Sequence, residues 1–186
     1  PKSTFVNDRF MARVSPGRLL VFADRRPRQH FGGIHHRHRG ALAVERQDVI
    51  DDRVGRWLLG GPAQVRQGVH AGGVAGCLQR HDVAAYVYPE ITGYYLQWLA
   101  WRACRFGPTP EVERAARAAQ HWLAVWLRLS DPPHTRLEVG NDAPDWRNDA
   151  VFCFDAAMVL RGLAAAAAAG LLAPDRAVVG GVVAQL

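Results

Sequence analysis

The sequence predicts an all-α fold of antiparallel helical hairpins, and three observations carry the prediction. Apolar residues recur at helical spacing through the second half of the chain. Helix-start residues, Pro89 and the pair Thr109-Pro110, stand where those periodic stretches open. A broadly apolar helix, an amphipathic one and then a helix apolar almost all round follow one another. Inner and outer helices packed in two layers would produce that alternation.

The elements follow in order. Residues 1–40 are rich in arginine, glycine and proline and read as irregular; the one apolar run, Leu19 to Ala23, suits a short strand or half a helix. From Ala41 to Leu59, a partial stripe of Leu42, Val49, Val54, Trp57 and Leu58 allows a helix, stopped by Gly60, Gly61 and Pro62. Residues 63–85, with Gly68, Gly72, Gly73 and Gly76, read as loop with short ordered pieces. We therefore divide the chain into a basic, irregular segment, residues 1–60, and a helical-hairpin domain, residues 61–186.

The first clear helix runs from Pro89 to Phe106, with Ile91, Tyr94, Tyr95, Trp98 and Trp101 on a broad apolar face, and Gly107-Pro108 ends it. At helical spacing Trp98 and Trp101 read as core. The second helix is capped by Thr109 and carries Glu111 and Glu113 in its first turn; Val112, Ala115, Ala116, Ala119, Trp122, Leu123 and Trp126 form one stripe. A long connection, residues 130–149, has the character of a functional loop. The third helix, 150–172, is apolar on nearly every side and is expected to be buried all round. A fourth begins near Asp175. If the inner helices run parallel, the starts of the first and third share one rim, which brings Glu90 and Asp155 to the same cup near helix N-termini that favour negative charge.

Composition bounds the function. At 186 residues the chain is long enough for one domain, and 49% hydrophobic with 22% charged residues is ordinary for a soluble globular protein. No apolar run is long enough for a membrane helix, no signal peptide is visible, and a cytoplasmic location is expected. The net charge of +6 is almost all arginine, since Lys2 is the only lysine, and no base-reading motif accompanies the basic stretch Arg25 to Arg39. Nucleic acid is therefore not the expected partner. Three distant cysteines, Cys77, Cys104 and Cys153, argue against a disulfide framework; the latter two read as small core residues. The histidines His30, His35, His36 and His38 match no metal-ligand spacing and read as a solvated loop. Gly32-Gly33 and Gly72-Gly73 lack the strand–loop–helix context of a phosphate loop and read as turns.

The chemistry-bearing stretch is AYVYPEITGYYLQWLAW, Ala85 to Trp101, which holds all four tyrosines. A carboxylate among aromatic rings suits a sugar-like ligand: rings stack on the apolar faces of a pyranose while the acid binds hydroxyls or moves protons. Glu90 and Asp155 are the candidate acid/base residues. Against this stands the simpler reading that both are helix-start acids. Trp146, on the long loop beside Asp149, is a further stacking candidate.

YPEITGYYLQWLAW and the later VFCFDAAMVLRGLAAA together resemble the alpha/alpha toroid superfamily of six-hairpin glycosidases and sugar epimerases, many of them bacterial. The resemblance spans roughly residues 73–169, and Ala156-Ala157 stand where the family has Thr-Gly. It implies a cup that binds a saccharide or other small molecule without metal, nucleotide or other cofactor. Tyr88, Glu90, Thr92 and Tyr94 would line the cup from the first motif and Asp155 from the second; Asp149 competes with Asp155 for the same roles. Hydrolysis, elimination and epimerisation all suit such a cup. A ring of six hairpins needs more helices than this chain supplies, so the resemblance implies a fragment, a truncated relative, or half of a ring completed by a second copy or a partner chain. Two other readings stay open: a non-catalytic helical scaffold or partner-binding subunit, and a toroid acting on an isoprenoid-like apolar substrate.

Overall fold

The computed structural model describes residues 37–139 and 145–186, with side chains of the first helix described from residue 49 onward. The expectations placed on Leu19 to Ala23, on the histidine cluster, on Gly32-Gly33 and on the Arg25 to Arg39 stretch lie outside the described residues and side chains. The fold is mostly helical. In chain order come α1 (Arg37–Gly60), β1 (Ala75–Leu78), β2 (Ala84–Val87), α2 (Pro89–Phe106), α3 (Pro110–Leu129), β3 (Leu137–Glu138), α4 (Cys153–Ala168) and α5 (Arg176–Val183).

Local chemistry sets the helix limits. Pro89 opens α2 as its first residue, and Gly107, at φ 87°, closes it in a conformation that a side chain would disfavour. Thr109 caps α3 by accepting a hydrogen bond from the Val112 amide at 3.3 Å, and Asp175 caps α5 through the Ala177 amide at 2.8 Å. The three-residue connection Gly107 to Thr109 folds α3 back against α2 as an antiparallel hairpin.

One core joins these helices. The predicted α3 stripe is buried throughout, with Trp122 and Leu123 fully enclosed. It packs against Leu96, Leu99 and Ala103 of α2, Val159 and Leu163 of α4, and Val178 and Val182 of α5. The most intimate contact is between α2 and α4. A Cβ added at Gly93 would stand 2.6 Å from the Met158 carbonyl carbon, and one at Gly162 would stand 2.9 Å from the Gly93 Cα. Only glycine at both positions lets the two backbones approach so closely.

Several expectations are corrected. Residues 37–60 are helical, and α1 touches α2: the Tyr95 hydroxyl donates to the Leu58 carbonyl at 3.0 Å. Of its stripe, Val49, Val54 and Trp57 are exposed, whereas Leu58 packs against the core. The glycine-rich stretch before α2 holds two strands, which β3 from the connection after α3 joins in a three-stranded antiparallel sheet, ordered β1-β2-β3, with Ala75 opposite Val87 and Tyr86 opposite Glu138. The fold is thus mostly, not wholly, helical. Helix α4 starts at Cys153, because Phe152 is still extended, and it is not enclosed all round: Phe154, Arg161 and Ala164 are exposed. Trp98 is half-buried, stacked on Tyr95 with 5.8 Å between ring centres, while Trp101 is exposed; a helical stripe records a face, not what covers it. All three cysteines are exposed.

Candidate functional site

The site lies where β2 runs into α2 and the 130–149 connection crosses the start of α4. Tyr88 is the last extended residue before α2, at φ −140° and ψ 124°. Its carbonyl accepts the Thr92 hydroxyl at 3.0 Å, and the Val74 amide donates to that same hydroxyl at 3.1 Å. Thr92 is fully buried, and its hydroxyl is engaged on both sides. It fixes the strand-to-helix turn and does not reach a ligand.

The long connection is held down by pairing. Strand β3 hydrogen-bonds to β2, and the Thr135 amide donates to the Ala150 carbonyl at 2.8 Å. Arg136, itself buried, sits 4.2 Å from the centre of the Tyr86 ring. It donates to Asn148 Oδ1 at 3.0 Å and lies 3.2 Å from the Asp145 carboxylate, while Asn148 donates to Glu138 Oε1 at 2.6 Å. Arg147 grips Asp145 at 2.8 and 2.6 Å, which holds that half-buried carboxyl well below the usual carboxylate range. This network ties the loop to the sheet beside Tyr86 and Tyr88.

Asp155, in the first turn of α4, is the centre of the site. It is only 3% exposed, and its Oδ2 has no hydrogen-bond partner among the described residues. Burial, and then the negative charge of Glu90, push its carboxyl up to about 7. A helix N-terminus would lower it, so desolvation wins here over the dipole. Neither α2 nor α4 has a side-chain cap, so helix capping does not explain Glu90 or Asp155. Tyr88 shares the environment. Burial raises its phenol, Thr135 opposes this from within polar reach, and the charges of Asp155 and Glu90 add to it. The Thr135 hydroxyl is itself buried and has no well-formed hydrogen bond among the described residues. A void of about 10 Å³, walled by Trp126, Pro133, Thr135, Val151 and Phe152, adjoins Asp155. That is room for roughly one water molecule.

The structure therefore brings Tyr88, Glu90 and Asp155 together, as the shared-rim argument expects. Helices α2 and α4 start at the same end: Glu90 acts on Asp155, and, a turn further on, Gly93 meets Met158. Trp146 stands at the rim, 72% exposed and edge-to-face with Phe152 at 6.2 Å. Tyr94 is exposed on α2, one turn beyond Glu90 on the same face. Asp149 ends the short helical turn Trp146–Asp149 and is exposed; Ala150 to Phe152 separate it from α4. Sequence reasoning missed Thr135, Arg136, Glu138 and Asn148. A two-residue strand and a short turn leave no periodicity to find, and only the length of the connection pointed there.

Among the described residues, no cluster of histidine, cysteine and acidic side chains is arranged to hold a metal ion. No helix there is long and apolar enough to cross a membrane. No protein family, curated protein or solved structure matches this chain.

Proposed function

We propose that the chain is a carbohydrate-binding or carbohydrate-active protein of the six-hairpin toroid type, with α2 and α4 as neighbouring inner helices and α3 as an outer one. The observation that carries the reading is the carboxyl pair at the shared helix rim. Asp155, titrating near neutrality, holds a proton it can donate, and Glu90 is the second carboxyl that acts on it. A pair of carboxyl groups is the ordinary equipment of glycosidic chemistry. Tyr86, Tyr88, Trp146 and Phe152 supply aromatic faces around them, suited to the apolar side of a pyranose. On this reading Glu90 and Asp155 act on the sugar while Tyr88 and Trp146 stack on it or bind its hydroxyls. The ring would be completed by a second copy or a partner chain.

Product analysis tests it. The purified chain, incubated with neutral and uronic oligosaccharides, should yield shortened, unsaturated or epimerised products that vanish in Glu90→Gln and Asp155→Asn. Products unchanged by both substitutions would remove the acid/base roles.

One observation favours a second reading. The space beside Asp155 is only about 10 Å³ and is closed by Trp126, Pro133 and Thr135. A non-catalytic helical scaffold would be filled in this way. Binding without turnover, or no binding at all, would favour it.

A further inference from the structure

A second cavity lies well away from the carboxyl pair. It is a wide-open depression of about 590 Å³ between the C-terminal half of α1, the C-terminal half of α2 and the start of α3. Arg102 and Glu90 are separated by roughly 18 Å along α2, at about 1.5 Å per residue. The cavity's volume falls in the range of small-molecule sites, about 300–1,000 Å³.

Its walls are cationic. Arg53, Arg56 and Arg102 all line it, and Glu111 is the one carboxylate lining it among the described residues. Arg56 is engaged by Asp52, one turn back on α1. Arg53 and Arg102 form no ion pair or hydrogen bond among the described residues. The Arg102 guanidinium is also held in place. It lies against Gly55, where an added Cβ would come within 2.6 Å of Nη1, and its carbon is 5.3 Å from the Phe106 ring centre and 5.9 Å from that of Trp98. Gly55 and the two rings bracket the guanidinium at the edge of the cavity, where a planar fork of donors can meet an oxyanion. Trp57, 50% exposed, forms the adjoining wall.

We infer that this cavity is a binding site for a small oxyanion-bearing molecule, its phosphate or carboxylate held by Arg102 and Arg53 and its ring set against Trp57. With Arg56 already paired to Asp52, Arg53 and Arg102 are the two cations at this cavity left for a bound anion to neutralise. The inference does not depend on the carbohydrate reading, since neither Glu90 nor Asp155 takes part.

Calorimetric titration of the full chain with inorganic phosphate and with glucuronate, at low ionic strength against matched chloride, tests it. Binding with a Kd of roughly 1 mM or tighter is expected for at least one of them. The two arms separate phosphate from carboxylate as the favoured group. Arg102→Gln should weaken binding about tenfold or more. Arg53→Gln, at an exposed position that leaves the packing intact, should weaken it several-fold and keeps the test valid if the Arg102 variant does not fold. Trp57→Ala should weaken glucuronate more than phosphate. No heat from either anion, or equal binding by the parent, Arg53→Gln and Arg102→Gln, would overturn the site.

Discussion

Replacing Asp155 by asparagine should change how stability depends on pH, and the direction follows from the site. The native carboxyl titrates at about 7, against an ordinary 3.8. Between about pH 4 and 7 the folded chain therefore holds a proton that the unfolded chain has released. The group's contribution is fully present below the unfolded value and is lost as pH rises through 7. At about 1.36 kcal/mol per pH unit, a displacement of about three units is worth about 4 kcal/mol over the whole window. Of this, ~2–3 kcal/mol falls between pH 5 and 8. Asparagine keeps the shape and is neutral throughout. Urea denaturation of both proteins at pH 5 and 8 should show the variant gaining ~2–3 kcal/mol on its parent over that interval. His70, buried and titrating below its ordinary value, works in the opposite sense, its contribution being lost as pH falls; it is common to both proteins and cancels in the difference. A difference that stays constant with pH to within about 0.5 kcal/mol would refute the claim that Asp155 is buried as the neutral acid.

Other consequences can be checked alongside. Glu90→Gln should shrink, but not abolish, the pH dependence due to Asp155, because burial is the larger cause and Glu90 the smaller; the same urea series measures it. Gly93→Ala or Gly162→Ala should cost about 1–3 kcal/mol, or more if α2 and α4 must separate, read as a lowered Tm. Thr92→Val leaves the buried Val74 amide without its acceptor and should cost about 1–3 kcal/mol in urea denaturation. Arg136→Met should free the 130–149 connection, seen as faster amide exchange at Thr135 and Val139 with the α3 amides unchanged.

The helices were legible because their ends are chemically marked. Pro89, Thr109-Pro110 and Asp175 set boundaries that the structure keeps, and the α3 stripe is buried residue for residue. The placing of Glu90 and Asp155 in the first turns of α2 and α4 was legible too, from the periodic stretches that open there. The sheet was not: AGCL and AAYV are four-residue strands dominated by small residues, with no polar–apolar alternation to separate them from loop. Nor was the outward turn of Trp101, Val54 and Trp57, because a helix's own periodicity cannot say which neighbours are present to cover it. The support of the site by Arg136, Asn148 and Glu138 depends on a loop returning to a sheet, a contact between residues distant in sequence that no local pattern encodes.

The most direct test of the saccharide reading is thermal stability of the folded chain against a panel of mono- and oligosaccharides, including uronic acids, with Glu90→Gln in parallel. The account predicts a rise in Tm with at least one saccharide that is lost or sharply reduced in Glu90→Gln. A Tm that no saccharide moves, or one raised equally in both proteins, would contradict a saccharide site at the Glu90–Asp155 rim.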